Sequence, residues 1–221
     1  MKRKSFTLVE ILVVVAVLAI LMGLLFPALG VIREKASYRQ SQTEAKSIQM
    51  AIKSFKTEYH YLPDSTTGND VVYYGAVAKG TTTTTDKTCA AVFTEDGSLQ
   101  SDYIDLFSVL CYLKPTGAIS STDSADAGLR NLNPRGIKFL EPSKKYSRSE
   151  DTAKGYRDPW GRPYVIFLDT NYDGQIEMPG STSSNRFYVY DDVAVVGLGT
   201  FDGTNLSNAL KTPEKAVLSW Q

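Results

Sequence analysis

The feature that most limits what this chain can fold into is its start. Lys2, Arg3 and Lys4 precede Ser5-Phe6-Thr7-Leu8-Val9-Glu10, and Ile11 to Ile32 follows, 22 residues broken only by Gly23, Pro27 and Gly30. As a helix rising ~1.5 Å per residue, that run covers about 33 Å, enough for a hydrocarbon core of about 30 Å. A helix in the core of a soluble domain shows a polar face, and this run shows none. A cleaved secretory signal would explain the cations, but the run is long for one and Ala28-Leu29-Gly30 is a poor small-x-small site. A plain signal anchor explains both length and cations, with the N-terminus held in the cytoplasm and the rest outside. Neither explains Glu10. A carboxylate at the edge of a spanning helix is costly and needs a partner.

Beyond the apolar run the pattern becomes one-sided. Ile48, Ala51, Ile52, Phe55, Tyr59 and Leu62 recur at spacings of three and four, with Lys46, Gln49, Lys53, Lys56 and Glu58 between them. That spacing predicts an amphipathic helix over 33–62 whose apolar stripe needs a cover, stopped by Pro63-Asp64. A continuous helix from Phe6 to Tyr61 would be about 80 Å long, far beyond the usual length. Periodicity alone leaves open a break at Val31 to Ala36.

Charge excludes one class of partner. Setting aside Lys2, Arg3, Lys4 and Glu10, the 24 basic and 24 acidic residues become 21 and 23, a near-neutral remainder of −2. No basic patch stands out, which argues against nucleic acid. Cys89 and Cys111 are too few for a zinc module. Outside the cytoplasm they are a candidate disulfide; the alternative is two separately buried thiols.

The region 63–155 is a variable mixture of helix, strand and loop. Asp64 to Asp70 has turn composition, Val71 to Val77 suits a short strand, and Thr81 to Thr85 suits an exposed loop. Ile104, Phe107, Leu110 and Cys111 predict a helix over Asp102 to Leu113, capped by Ser101 or Asp102 and ended by Lys114-Pro115. Ser120 to Asp126 and Lys144 to Lys154 are polar and read as loop, and Phe139-Leu140-Glu141-Pro142 as a strand end.

The last part, 156–221, reads as a sheet. Asp158-Pro159-Trp160-Gly161-Arg162-Pro163-Tyr164 is a rigid turn with an aromatic anchor. Tyr164 to Leu168, Arg186 to Tyr190 and Val193 to Val196 are rich in aromatic and β-branched residues and predict antiparallel strands able to cover the helix. The expected class is therefore α+β, a long N-terminal helix, half transmembrane and half amphipathic, on a small antiparallel sheet.

Between two of these strands, Asp169, Asn171, Asp173, Gln175 and Glu177 place oxygens at alternate positions around Gly174. A hard cation such as calcium takes that arrangement, with Gln175 giving its backbone carbonyl. The twelfth position is Gly180, so a further ligand must come from elsewhere, with Asp191, Asp192 and Asp202 as candidates. A polar hairpin loop held by Asx turns would use the same residues.

Ser5-Phe6-Thr7-Leu8-Val9-Glu10 resembles the processing signal of type IV pilins and type II secretion pseudopilins. The resemblance implies cleavage by a prepilin peptidase between Ser5 and Phe6, methylation of the new amine, and a leader of residues 1–5. It implies that Glu10 pairs with the Phe6 amine of a neighbouring subunit, and a buried charge is tolerated when paired in this way. Pro27, 21 residues after Phe6, matches the family's helix-loosening proline, which removes a backbone bond and kinks or melts the helix. The family prefers Gly before the cut; here the small residue is Ser5. The Asp158 to Tyr164 turn, Gly197-Leu198-Gly199 with Asp202-Gly203, and Leu218-Ser219-Trp220 resemble major pseudopilins. That branch implies a calcium-stabilised sheet, with the ion in the loop after Asp202-Gly203. Thr204 to Val217 holds only Glu214 as an acidic residue, which moves the expectation to the Asp169 loop.

The functional expectation is a structural subunit of a type II secretion pseudopilus. It is held in the bacterial inner membrane with its C-terminal part periplasmic. It assembles as a homo-oligomeric filament with other pseudopilins and an inner-membrane platform. A type IV pilus subunit for adhesion, motility or DNA uptake is the alternative within the resemblance. A membrane-tethered periplasmic hydrolase is the alternative outside it. Against an enzyme stand the single histidine, His60, with no Ser or Cys placed beside it, and the lack of a phosphate-loop or dinucleotide fingerprint. Asp191 and Asp192 are adjacent, and adjacent strand residues point to opposite faces.

Overall fold

In the computed structural model, residues 8–64, 71–74, 80–81, 101–113, 119–141, 156–178, 187–200 and 217–220 are described, the side chains of 24–29, 71–74, 80–81, 101–102, 125 and 187 excepted. The chain divides into two compact units, Met1–Arg39 and Gln40–Gln221.

Helix α1 runs from Leu8 to Tyr59, 52 residues without interruption. There is no break at 31–36. Pro27 lacks an N–H to donate, yet the helix is not melted there. It ends before the Pro63-Asp64 signal, because His60 adopts a left-handed φ of 64° while its N–H still bonds the Lys56 carbonyl at 2.8 Å. That is the geometry of a left-handed C-terminal cap, unusual on a side chain other than Gly or Asn.

In the Gln40–Gln221 unit, the first layer is the C-terminal part of α1. Ser41, Ala45, Ile48, Ala51, Ile52 and Phe55 are buried, repeating at three and four. The stripe is the expected one, except that Tyr59 is only half-buried and Gln49 joins the buried side. The second layer is a five-stranded antiparallel sheet in the order β2-β1-β3-β6-β7. Its strands are β1 (Val71–Tyr74), β2 (Gly80–Thr81), β3 (Val165–Leu168), β6 (Val193–Gly197) and β7 (Val217–Leu218). β3 and β6 form its centre, in the register Val165↔Val196 to Leu168↔Val193. Every residue of both strands is buried. Continuous β-branched and apolar runs are what such a doubly covered position needs.

Two more strands, β4 (Ile176–Met178) and β5 (Phe187–Val189), form a separate antiparallel pair. This corrects the sequence reading twice. The strand expected over Arg186 to Tyr190 pairs outside the main sheet, whereas β1, from the middle region, pairs with β3 inside it.

Helix α2 (Ser101–Cys111) buries Tyr103, Leu106, Phe107, Val109, Leu110 and Cys111, while Ile104 is half-buried. A short helix α3 (Ala127–Leu132) follows a single 3-10 turn, Ser124–Asp126, where loop was expected. Phe139 and Leu140 form no strand. Their N–H groups bond the Leu110 carbonyl at the end of α2.

Candidate functional site

The N-terminal unit is distinguished by what it leaves uncovered. Eighteen large hydrophobic side chains are exposed among the described residues, and fourteen of them lie between Leu8 and Ile32. Apolar exposure on that scale marks a surface meant for lipid or for another chain. Glu10 lies in the first turn of α1 and is exposed along with its apolar neighbours. A carboxylate there is favourably placed against the positive end of the helix dipole. Ser5 and Phe6 lie outside the described residues, as does the side chain of Pro27. Among the described residues no helix is long and apolar enough to cross a membrane; the side chains of 24–29, within the apolar run, are not among them.

In the second unit, polar side chains tie α1 to the sheet. Gln49 donates to the Val193 carbonyl at 2.9 Å and to Asp191 Oδ2 at 3.0 Å. Lys53 and Lys56 reach Asp191 and Asp192 at 2.7 and 2.6 Å. Asp191 and Asp192 lie in a bend before β6, not within a strand, which is why both turn to the same helix instead of to opposite faces. Tyr164 donates from its hydroxyl to Glu44 at 2.6 Å, and burial pushes that phenol far above its ordinary pKa, helped by the Glu44 contact. Asn133, fully buried, accepts from the Tyr59 hydroxyl and the Ile137 N–H and donates to the Val109 and Ile137 carbonyls. The end of α1, α2 and the segment after α3 therefore meet on one amide.

The Asp158 turn is organised by its first residue. The buried carboxylate accepts N–H bonds from Trp160 and Arg162 on Oδ1, at 3.0 and 2.7 Å, and from Gly199 on Oδ2 at 3.2 Å. Burial raises its pKa to about 6, against the opposing pull of those N–H donors and Arg162. One side chain thus joins the entry of β3 to the exit of β6.

The loop from Asp169 to Glu177 is closed by its own backbone. Asp169 accepts from the N–H groups of Asp173 and Gly174 at 3.2 and 2.9 Å. Asn171 accepts from Asp173 N–H at 2.9 Å, and Asp173 from Gln175 N–H at 3.0 Å. Left-handed φ values at Tyr172 and Gly174, 59° and 80°, let the chain turn this tightly. These are Asx turns. Glu177, expected as the ninth-position oxygen of the loop, lies in β4, in register with Tyr188. Among the described residues no three His, Cys, Asp or Glu side chains are grouped to hold a metal ion. Asp191 and Asp192 are engaged with lysines, and Asp202 lies outside the described residues.

Cys111 is a buried free thiol whose pKa burial pushes up to about 12. Its candidate partner, Cys89, lies outside the described residues. His60 is exposed at the helix end, where it serves the cap. The anchoring residues Gln49 and Asn133 had no signal in the sequence beyond being polar, which suits a surface residue equally well.

A model of the prokaryotic N-terminal methylation motif matches residues 1–26. No curated protein and no solved structure matches the chain. The start of this protein is a prepilin-type signal, and the chain has the long N-terminal helix and antiparallel sheet of a pilin-like architecture.

Proposed function

We propose that this protein is the structural subunit of a type II secretion pseudopilus. It is held in the inner membrane with its N-terminus cytoplasmic and its sheet periplasmic, until a prepilin peptidase cuts between Ser5 and Phe6. The observation that carries this reading is the methylation motif at 1–26, whose helical part from Leu8 to Met22 exposes its apolar side chains. A subunit that must leave lipid and join a fibre needs such a helix, because one apolar surface serves both environments.

Glu10 then has a defined task. In the fibre its carboxylate pairs with the Phe6 amine of a neighbouring copy, which sets the stagger between helices and compensates the burial of charge. The mechanical work comes from a cytoplasmic ATPase acting on an inner-membrane platform, together with other pseudopilins. Support for the secretion branch over an adhesive pilus comes from the Asp158 turn and the closing Leu218-Ser219-Trp220 in the sequence. Calcium in the Asp169 loop is a secondary proposal, supported by the donor pattern of Asp169, Asn171, Asp173, Gln175 and Glu177. The Asx-turn network competes with it, since backbone N–H groups bond the same side-chain oxygens.

The test is co-expression with a prepilin peptidase and measurement of intact mass. Loss of residues 1–5 with gain of one methyl group is expected. An unchanged mass for Met1 to Gln221 overturns the proposal and reduces the segment to an anchor.

A further inference from the structure

We infer that Arg33, Lys35 and Arg39 form a girdle around α1 that binds the headgroups of anionic phospholipids where the helix leaves the membrane. The inference rests on the membrane-held form in the reading above and names what surrounds that form.

The apolar run of α1 is bounded by cations at both ends, Lys2, Arg3 and Lys4 before it and Arg33, Lys35 and Arg39 after it. From Leu8 to Ile32 the helix covers about 37 Å, against a hydrocarbon core of about 30 Å, so its far end reaches the headgroup layer. Arg33, Lys35 and Arg39 follow at once, all three exposed and all within the Met1–Arg39 unit. Glu34, also exposed, is the one acid among them, so three cations less one carboxylate leave the stretch at +2. Cations on the outward flank of a spanning helix work against the orientation rule, so three within seven residues ask for a partner. The side chains of Arg33 and Lys35 have no ion-pair partner among the described residues.

Their placement around the helix selects the occupant. At about 100° per residue, Lys35 lies about 160° from Arg33, and Arg39 about 40° from Lys35. Lys35 and Arg39 therefore share one side, a turn apart, and Arg33 lies on the other. A protein partner covers one side of a helix, whereas a lipid surface surrounds it. The apolar surface below the cations goes round the helix in the same way, since the successive residues Leu12, Val13, Val14 and Val15 are all exposed. Like charges a turn apart repel in a bare helix, and a phosphate between Lys35 and Arg39 relieves that repulsion. Long lysine and arginine stems lie along apolar surface while their charged heads reach outward to the headgroups. An anionic headgroup brings a phosphate without the compensating cation of a zwitterionic one, which suits a stretch of net positive charge.

The experiment is native mass spectrometry of the detergent-solubilised full chain, titrated with phosphatidylglycerol or with phosphatidylcholine. It is run on the unaltered chain and on one carrying Lys2→Gln, Arg3→Gln and Lys4→Gln, which silences the other cationic flank. Phosphatidylglycerol should bind more tightly than phosphatidylcholine in both, and that preference should shrink as salt is raised. In the second chain, Arg33→Gln and Lys35→Gln should each weaken phosphatidylglycerol binding about fivefold, the worth of one surface cation, and leave phosphatidylcholine unchanged. Arg33→Lys, which keeps the charge, should keep the preference. The thermal midpoint should not move in any of these variants, since the altered residues 33 and 35 are exposed. Equal affinity for the two lipids overturns this inference alone, as does a preference that vanishes once Lys2, Arg3 and Lys4 are replaced. A loss with only one of Arg33→Gln and Lys35→Gln points to a one-sided protein contact and also overturns it. An unaltered chain that stays in solution without detergent and does not float with vesicles overturns the membrane-held reading and this girdle with it.

Discussion

Gly197 offers the sharpest test of how the helix is seated on the sheet. A Cβ placed there would lie 2.7 Å from Ser41 Oγ, 3.1 Å from Tyr164 Cε1 and 3.4 Å from Val217 Cβ. Ser41 is fully buried, and its hydroxyl lies 3.4 Å from that of Tyr164, so it cannot swing away into solvent. Gly197→Ala must therefore push α1 and β6 apart by several tenths of an ångström. Overpacking of this kind costs about 1–3 kcal/mol. The relief of glycine's backbone freedom returns about 0.5–1 kcal/mol, leaving a net loss of about 1–2 kcal/mol. For a unit of this size that lowers the thermal midpoint by about 2–8 °C. The assay is thermal unfolding of the detergent-solubilised full chain, followed by near-UV circular dichroism. The decisive step is a double-mutant cycle with Ser41→Ala, which removes the nearest atom. The cost of Gly197→Ala should shrink by about half a kcal/mol or more in that background. An identical cost in both backgrounds, or no shift at all, would refute the close approach.

Three further outcomes are expected. Asp158 has its pKa raised from 3.8 to about 6, so the native state binds the extra proton between those values. Stability from this group is therefore fully present below the unfolded pKa and declines as pH rises through the folded one, by at most about 3 kcal/mol. The difference in stability between the unaltered chain and Asp158→Asn, measured from pH 4 to 7, should fall with pH; a flat or rising difference contradicts the burial argument. Glu10→Ala should insert and be cut before Phe6 but yield little fibre, so normal fibres by electron microscopy would remove the pairing role. The thermal midpoint should rise with calcium over chelator if the Asp169 loop takes the ion, and an unchanged midpoint leaves the Asx turns as its whole account.

What could be read in advance followed from burial pattern. Ile48, Ile52 and Phe55 repeat with helical period because one side of α1 is covered, and β3 and β6 are apolar throughout because both their faces are. The positions that escaped the reading are those where polar residues do buried work. Gln49 and Asn133 look like surface residues in a sequence, and only the fold reveals the carbonyls they satisfy. Helix α3 leaves little trace in the sequence, because it lasts only 6 residues and has Gly128 in its second position. The spacing of Glu177 from Asp169 fits a loop with alternating oxygens, but Ile176 and Met178, both buried, pull that stretch into a strand. At the N-terminus the position was reversed. The motif could be read from the sequence alone, because recognition by a processing enzyme depends on local residues and not on a fold.

The polar ties between α1 and its surroundings have a mechanical consequence. Glu44 to Tyr164, Gln49 and Lys53 to Asp191, Lys56 to Asp192, and Tyr59 to Asn133 recur at intervals of three to five residues along the helix. A pull directed along the axis of that segment loads these links together, as a shear, so none can yield without the others. A force applied sideways at Tyr59 would instead strip them one at a time. The folded unit should therefore resist extraction of its helix lengthwise far better than peeling from its end.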